Sequence, residues 1–183
     1  MIETERLILR NFKQEDIDDY FEIVSQEDVL PKMGIKLYSS KEQALERLIL
    51  ESAQPLRFAI VLKENNKVIG NISLNQPKAE RYTNIELDER TKELGYFLSH
   101  DYWGKGIMAE AGIGLLKYAF SQLGVTKIVC GTKILNNQSI RVQEKIGLKI
   151  HSIKENAGTW VNGEPCDYIR TTITAQDWLK NYL

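Results

Sequence analysis

The sequence has little cysteine, little histidine and no excess of charge of either sign. Its 183 residues include two cysteines, Cys130 and Cys166, and two histidines, His100 and His151. The cysteines form no CxxC pair, and no Cys/His cluster has the spacing of metal ligands, so we expect no metal site. Two isolated thiols are typical of a reducing compartment, so the cytoplasm is the expected location.

Charge and hydropathy exclude further classes of protein. Lys and Arg (24) nearly balance Asp and Glu (25), for a net charge of -1, so no overall positive field would attract nucleic acid. The N-terminal stretch MIETERLILR is charged from the start, unlike a signal peptide. No apolar run approaches the roughly 20 residues that span a bilayer. We expect a single globular domain over residues 1–183, without membrane or direct nucleic-acid partners.

Hydrophobic periodicity predicts a mixed α/β sheet, because runs of strands give way to alternating strands and helices. Alternation and apolar runs predict strands at residues 6–10, 58–62, 68–74, 93–99, 127–132, 149–154 and 168–173. Helical spacing predicts helices that include residues 17–24, 40–49, 109–123 and 139–146, and a last one through Trp178. The polar residues 76–92 predict a loop or a short irregular strand.

Some residues have a plain structural interpretation. Ser39 or Ser40 has the spacing of a helix N-cap, and Leu45, Leu48 and Ile49 would then form the buried side of that helix. We expect Cys130, Trp160 and Trp178 to be packing residues and Cys166 to be partly exposed. His100 and His151 are expected in a loop and a strand, not as ligands.

The most informative segment is a strand, a turn with two glycines and a helix, ELGYFLSHDYWGKGIMAEA, from Glu93 to Ala111. Gly104 and Gly106 let the backbone approach a ligand without a Cβ clash. The helix N-terminus that follows offers free N–H groups to phosphate oxygens, and Lys105 adds a positive charge. By itself this turn is better explained as a plain structural connection between a strand and a helix. It lacks the GxxxxGK[ST] pattern of a P-loop and the third glycine of a dinucleotide fingerprint.

A second segment changes that balance. The stretch NNQSIRVQEKIGL, from Asn136 to Leu148, follows a strand and contains a short helix that Gly147 would end. Alone, its first residues would be a helix cap. Together with the opening ETERLILR and the closing DYIRTTITAQDW, the two segments resemble the RimJ/RimL branch of the GCN5-related N-acetyltransferases (GNATs). The resemblance covers most of the chain.

The resemblance implies a fold and a reaction. The fold would be one α/β (α+β) domain, with a mixed, mostly antiparallel twisted sheet flanked by helices. A V-shaped opening would separate the strand at 93–99 from that at 127–132. The reaction would transfer the acetyl group of acetyl-CoA to a primary amine, on a protein N-terminus or on a small molecule. The alternative is a CoA-sensing domain that binds the cofactor without catalysis. Homodimers are common in such folds, but the sequence does not specify the oligomeric state.

The resemblance also implies which residues bind the cofactor. Phe97 and Leu98 would face the pantetheine arm, and Asn136 would reach it. Because Trp103 and Met108 replace a polar and a small residue of the family pattern, backbone N–H groups would hold the pyrophosphate. The pyrophosphate loop corresponds to Trp103, Gly104, Lys105, Gly106, Ile107 and Met108.

Two catalytic residues follow from the same resemblance. Glu93, at the start of the central strand, would take a proton from the amine, and its alternative is an exposed charge at a strand end. Ser139 would hydrogen-bond the departing CoA thiolate, and its alternative is a helix-cap serine. Gln143 occupies the position where many GNATs have a tyrosine, and an amide cannot donate that proton.

Overall fold

The computed structural model describes residues 1–160 and 162–182, which form eight strands and five helices. The strands are β1 (Ile2–Glu3), β2 (Leu7–Arg10), β3 (Arg57–Leu62), β4 (Val68–Asn75), β5 (Thr91–Leu98), β6 (Lys127–Lys133), β7 (Lys149–Thr159) and β8 (Pro165–Thr174). The helices are α1 (Ile17–Val24), α2 (Lys41–Ser52), α3 (Ile107–Gln122), α4 (Asn137–Lys145) and α5 (Ala175–Tyr182). The predicted elements are confirmed, and β7 and β8 are longer than periodicity suggested.

The strands follow the order β1-β2-β3-β4-β5-β6-β8-β7. Neighbours pair antiparallel from β1 to β4 and again among β6, β8 and β7, whereas β5 and β6 are parallel. The β5–β6 register consists of three residue pairs and ends at Glu93 with Val129. Strand β6 continues to pair with β8 as far as Lys133. The mostly antiparallel open sheet is confirmed, and β5 and β6 are not paired along their full length.

The described chain groups into two compact units. Unit 1 comprises Met1–Ser73 and Tyr96–Gly114, and unit 2 comprises Leu74–Gly95 and Leu115–Leu183. Strand β5 and helix α3 therefore contribute residues to both units. The assignment of residues 1–183 to one domain stays a prediction.

Unit 1 packs α1 and α2 against strands β2 to β4 around apolar residues such as Tyr20, Leu48 and Val61. Helix α2 begins where predicted, because the Ser40 hydroxyl accepts the Gln43 backbone N–H at 3.3 Å. The predicted burial of Ile49 is wrong, since its exposed fraction is 50%. Ile49 lies one residue, or about 100°, further round the helix than the buried Leu48.

Unit 2 has its own core around α5 and the ends of α3 and α4. Trp178 is fully buried, and its indole N–H donates to the Ile146 carbonyl oxygen at 2.9 Å. Both cysteines are free thiols. Cys130 is buried as predicted, and burial raises the pKa of its thiol to about 12. The predicted exposure of Cys166 is wrong, because it lies inside the paired β7–β8 ribbon and only 6% of it is exposed.

No helix of the described chain combines the length and the apolar composition needed to cross a membrane.

Candidate functional site

The glycine loop, residues 103–108, lies in unit 1 between β5 and α3. Gly104 and Gly106 have φ angles of 74° and 75°, in the left-handed region that residues with a side chain rarely adopt. A Cβ added to Gly104 would meet nothing within 4 Å, so the backbone faces open space. Helix α3 begins at Ile107, and its first N–H groups have no partner within the helix. This arrangement fits a pyrophosphate held by backbone N–H groups.

An ion pair that the sequence interpretation missed supports this loop. The Glu110 carboxylate accepts hydrogen bonds from the Arg6 backbone N–H at 2.8 Å, the Arg6 Nε at 2.6 Å and the Thr4 hydroxyl at 2.6 Å. The Arg6 guanidinium also donates to the Lys105 carbonyl oxygen at 3.1 Å. Burial raises the pKa of Glu110, but the hydrogen bonds from Thr4 and Arg6 outweigh it and leave the pKa below its ordinary value. Glu110 therefore keeps its negative charge at neutral pH, and we call this carboxylate, which holds Arg6, the anchor of the loop.

The Trp103 side chain contacts other residues of unit 1. Its indole N–H donates to the Leu98 carbonyl oxygen at 2.9 Å, and its ring stacks on His100 with a centroid distance of 4.5 Å. The Lys32 ammonium lies 4.2 Å from the centre of the same indole ring. These contacts orient the start of the loop, and the role of Trp103 in cofactor binding stays a prediction.

The other side chains of the predicted cofactor set are also packed within unit 1. Ile107, Met108 and Leu98 are 4%, 5% and 7% exposed, and Phe97 packs against the core of this unit. Contacts from these residues to a cofactor would therefore come from their backbone groups. Their role in cofactor binding stays a prediction.

Glu93 lies in unit 2, in the part of β5 that pairs with β6. Its side chain is only 16% exposed, and its Oε1 accepts from the Tyr82 hydroxyl at 2.9 Å and from the Arg81 guanidinium at 3.4 Å. Burial, together with the nearby Cys130 and Glu93, raises the pKa of the Tyr82 hydroxyl. Tyr82 therefore stays a neutral donor that orients the carboxylate. Glu93 is not an exposed strand-end charge, and its role as the base stays a prediction.

A buried arginine on β8 contacts Tyr82, the residue that donates to Glu93. Arg170 is 5% exposed, and its Nε donates to the Arg81 carbonyl oxygen at 2.8 Å. Its guanidinium lies over the rings of Tyr82 and Tyr168, 5.3 and 4.7 Å from their centres. The opposite β6 residue is Gly131, where a Cβ would come within 2.5 Å of Arg170 Nη1. Glycine at 131 thus makes the room that this guanidinium occupies.

Ser139 belongs to a different hydrogen-bonded chain in unit 2. The Thr171 hydroxyl donates to Gln143 Oε1 at 2.6 Å, and Gln143 Nε2 donates to Ser139 Oγ at 3.1 Å. The Ser139 backbone N–H donates to Asn136 Oδ1 at 3.2 Å, so Asn136 is the N-cap of α4. Thr171 and Arg170 are consecutive strand residues and point to opposite faces of the sheet. Ser139 and Glu93 are therefore associated with opposite faces of the β6–β8 region.

Lys133 is a second buried cation on the Arg170 face of unit 2. It is 2% exposed, and its ammonium lies 4.3 Å from the centre of the Trp160 ring. Across residues 1–160 and 162–182 this ammonium finds no hydrogen-bond partner. Desolvation by burial lowers the pKa of Lys133 below its ordinary value. An unpartnered buried charge is costly, and such groups are typical of ligand sites.

Sequence inspection missed four of these residues. Tyr82 lies in a stretch predicted to be a polar loop, and Arg6 and Glu110 were quoted only as parts of motifs. Arg170 alternates with Ile169 and Thr171 in a strand, and a charged residue at an interior strand position was the available signal. In the described part of the chain, no group of three or more His, Cys, Asp or Glu side chains could hold a metal ion.

Comparison with known proteins identifies the family. The family model of the acetyltransferase (GNAT) domain matches residues 6–149. The N-acetyltransferase p20 of Bacillus licheniformis is 31% identical over 152 residues, which cover 80% of each chain. The chain therefore belongs to the GNAT acetyltransferases. It is an acetyl-CoA-dependent acetyltransferase, and acetyl-CoA is its co-substrate.

Solved structures share the fold. A GNAT-family acetyltransferase from Bacillus anthracis superposes with a TM-score of 0.84 at 24% identity, over 96% of this chain and 98% of that one. The spermidine N-acetyltransferase of Vibrio cholerae, solved with CoA and spermine, gives a TM-score of 0.76 at 19% identity. That superposition covers 95% of this chain and 98% of the Vibrio chain. The predicted GNAT fold is confirmed.

Proposed function

We propose that this acetyltransferase acetylates a primary amine and that Glu93 is its general base. The observation that carries the proposal is the Glu93 carboxylate, which is largely buried and held by the Tyr82 hydroxyl and the Arg81 guanidinium. A carboxylate oriented in this way can take a proton from an ammonium group within hydrogen-bond reach. The neutral amine then attacks the thioester carbonyl carbon.

The remaining steps use groups of the chain whose roles are proposed with it. Backbone N–H groups of β5 stabilise the tetrahedral oxyanion. The attacking nitrogen loses its second proton to solvent, and the C–S bond then breaks to release CoA thiolate. Ser139 hydrogen-bonds that thiolate, and Gln143 Nε2 orients it by donating to its Oγ at 3.1 Å. Gln143 is completely buried, and its amide group cannot supply a proton to the thiolate. A thiolate needs little help to leave, because thiols have pKa values near 8.5.

The glycine loop and Asn136 belong to the same proposal. Backbone N–H groups of residues 104–108 hold the pyrophosphate of acetyl-CoA, and α3 supplies the positive end of its dipole. The Asn136 amide group reaches the pantetheine arm while its oxygen caps α4.

Substitution of Glu93 by glutamine tests the base. Glu93→Gln keeps the shape and a hydrogen-bonding oxygen, but it cannot accept the proton, so kcat should fall roughly a hundredfold or more at neutral pH. The loss should shrink at high pH, where the free amine predominates. The measurement is thiol release from acetyl-CoA with a panel of amines.

The matched control is Glu89→Gln, an exposed glutamate in the loop before β5, which should leave kcat unchanged. Acetyl-CoA affinity should be unchanged in both variants. Near-native kcat in Glu93→Gln at neutral pH would eliminate Glu93 as the base, and a loss in Glu89→Gln would move the assignment to that loop.

A further inference from the structure

The Arg170 face of unit 2 carries more positive charge than its own carboxylates balance. Strand alternation and register place Arg170 and Tyr168 of β8 on one face, with Gly131 and Lys133 of β6 opposite them. Glu93 is paired with Val129, which has the same orientation as Gly131, and so joins this face. Both cations are at least 95% buried in the folded unit.

Arg170 has neutral partners in place of a counter-ion. Its contacts are the Arg81 carbonyl oxygen and the two tyrosine rings. Throughout the described residues, no carboxylate lies within ion-pair distance of this guanidinium. Removing a guanidinium from water without a counter-ion costs several kcal/mol, because the surrounding protein has a low dielectric constant. A fold retains such a group where a ligand supplies the missing negative charge.

A small cavity opens beside Arg170. The Arg170 pocket has a volume of about 110 Å³, and Arg81, Lys154 and Arg170 line it together with the hydroxyl-bearing Thr83 and Ser152. No aspartate or glutamate is among the residues described along its wall. The volume is well below the roughly 300 Å³ at which sites for drug-sized ligands begin. The pocket therefore suits a small anionic group such as a carboxylate.

Tyr82 joins this pocket to the proposed base. Its ring forms part of the pocket wall and lies beside the Arg170 guanidinium, and its hydroxyl donates to Glu93 at 2.9 Å. Arg81 likewise lines the pocket and donates to Glu93. A molecule with its amine at Glu93 would therefore extend its substituents along Tyr82 towards Arg170. Lys154 and Arg81 would repel a second amine placed there.

We propose that the acceptor is a free amino acid, whose carboxylate binds Arg170 in this pocket while its amine lies at Glu93. The proposal rests on the proposed function and specifies its acceptor. Arg170 is the choice for this task because a guanidinium binds a carboxylate through two parallel N–H···O bonds. The tyrosine rings hold its plane, so the site is preorganised before the acceptor arrives.

The test compares amino acids with their decarboxylated counterparts in the wild-type enzyme. Ornithine is paired with putrescine, lysine with cadaverine and phenylalanine with phenethylamine, and kcat/KM is measured by thiol release at saturating acetyl-CoA. For the pair that is turned over fastest, the amino acid should exceed its amine at least about tenfold, because a site built for a polar group rejects analogues that lack it. Equal kcat/KM values, or faster turnover of the decarboxylated amine, would overturn the inference and leave the acetyltransferase reaction intact.

Substitution of Arg170 localises the effect. Arg170→Gln should raise KM for the amino acid at least about tenfold, leave kcat/KM for the decarboxylated amine unchanged, and preserve the thermal shift with acetyl-CoA. In Arg170→Lys, KM for the amino acid should lie between those of the wild type and Arg170→Gln, since lysine keeps the charge but lacks the planar guanidinium. The control is Arg90→Gln, an exposed arginine before β5, for which no change is expected.

Three outcomes separate this inference from the function it rests on. If peptides with free N-termini outperform every amino acid, the carboxylate site is wrong and the enzyme acts on chains. If Arg170→Gln does not fold, the wild-type comparison of amino acid with amine still decides. Acetyl-CoA binding without thiol release for any amine would overturn both the acceptor and the proposed base.

Discussion

The glycine loop of unit 1 and the Arg170 pocket of unit 2 are both electropositive, but they are built in opposite ways. The loop offers backbone N–H groups, and the arginine that contacts it, Arg6, is paired with Glu110. The pocket offers side-chain cations, and the buried one, Arg170, has no carboxylate of the described chain within ion-pair distance. A backbone site serves any ligand with a pyrophosphate, whereas a side-chain site can select one acceptor among many amines.

The two sites also differ in their effect on the stability of the folded protein. The anchor of the loop contributes stability, because Glu110 accepts three hydrogen bonds from groups that would otherwise face water. The Arg170 face, which also carries Lys133, lowers stability until a ligand arrives, since both cations are desolvated without a counter-ion. Substitutions in the loop should therefore weaken both binding and folding. Substitutions in the pocket should weaken binding and can strengthen folding.

The largest expected effect comes from a branched side chain in the loop. Gly106→Val puts a β-branched residue at a φ of 75°, against the space assigned to the pyrophosphate. Millimolar acetyl-CoA should raise the melting temperature of the wild type, because binding to the native state adds RT ln(1 + [L]/Kd) to stability. In Gly106→Val that rise should disappear, which corresponds to an affinity loss of at least about a hundredfold. The measurement is thermal unfolding with and without acetyl-CoA.

Gly124→Val controls for backbone strain. Gly124 follows α3 with a φ of 67°, and a Cβ there would meet nothing within 4 Å. This variant should be destabilised by the same backbone strain and should keep the full response to acetyl-CoA. A full response in Gly106→Val would show that the loop does not hold the cofactor.

The same difference between the two sites explains which features could be predicted from the sequence alone. Two glycines before a helix, and an asparagine that caps the next helix, are local signals, so residues 103–108 and Asn136 were accessible from sequence. Periodicity likewise predicted the strands and helices, because burial on one face leaves a repeating pattern. The β5–β6 register and its early end at Glu93 depend on distant segments, and only the family resemblance suggested them.

The pocket could not be predicted from local sequence signals. Tyr82 is 2% exposed although it lies in a polar stretch without clear alternation. Its burial results from contacts with Glu93 and Arg170, which are 11 and 88 positions further along the chain. Arg170 interrupts an apolar strand and Lys133 ends one, and a sequence does not show whether such a charge faces solvent, a partner or a ligand.

A smaller effect is expected from the anchor of the loop. Glu110→Gln keeps the side-chain shape and removes the charge that Arg6 binds, so the Arg6 contact to Lys105 should loosen. Acetyl-CoA affinity should fall about tenfold, the equivalent of about 1.4 kcal/mol. The folded protein should also lose stability, because charge-assisted hydrogen bonds contribute more than neutral ones. Calorimetric titration and urea unfolding measure the two effects.

The pH dependence of this loss distinguishes the anchor from a general defect. The pKa of Glu110 is lowered in the folded protein, so its contribution is complete above the ordinary value of 4.5 and is lost as the pH falls through the lower folded value. The difference in stability between wild type and Glu110→Gln should therefore be constant from about pH 7 to 5 and shrink below 4.5. Glu46→Gln, on the exposed side of α2, should show neither effect. A difference that persists at low pH would contradict the role of the charge.

The smallest expected effect has the opposite sign and concerns Lys133. Lys133→Met removes a buried ammonium without a hydrogen-bond partner and keeps a long apolar side chain beside Trp160. The melting temperature should rise by about 2–4 °C, the shift that roughly 1 kcal/mol produces in a chain of this size. Loss of the cation–π contact offsets part of the gain. Lys149→Met, at an exposed position of β7, should leave the melting temperature unchanged.

The sign of the pH dependence makes the Lys133 prediction specific. Desolvation lowers the pKa of this ammonium in the folded protein, so the unfolded chain binds the proton more tightly, and wild-type stability rises as the pH increases from the folded value towards 10.5. The advantage of Lys133→Met should therefore be largest at neutral pH and shrink as the pH approaches 10.5. If Lys133 instead proved stabilising at neutral pH, a neighbouring group would already balance its charge. The Arg170 face of unit 2 would then carry a balanced charge, as Arg6 does beside the loop of unit 1, and the contrast between the two sites would fail.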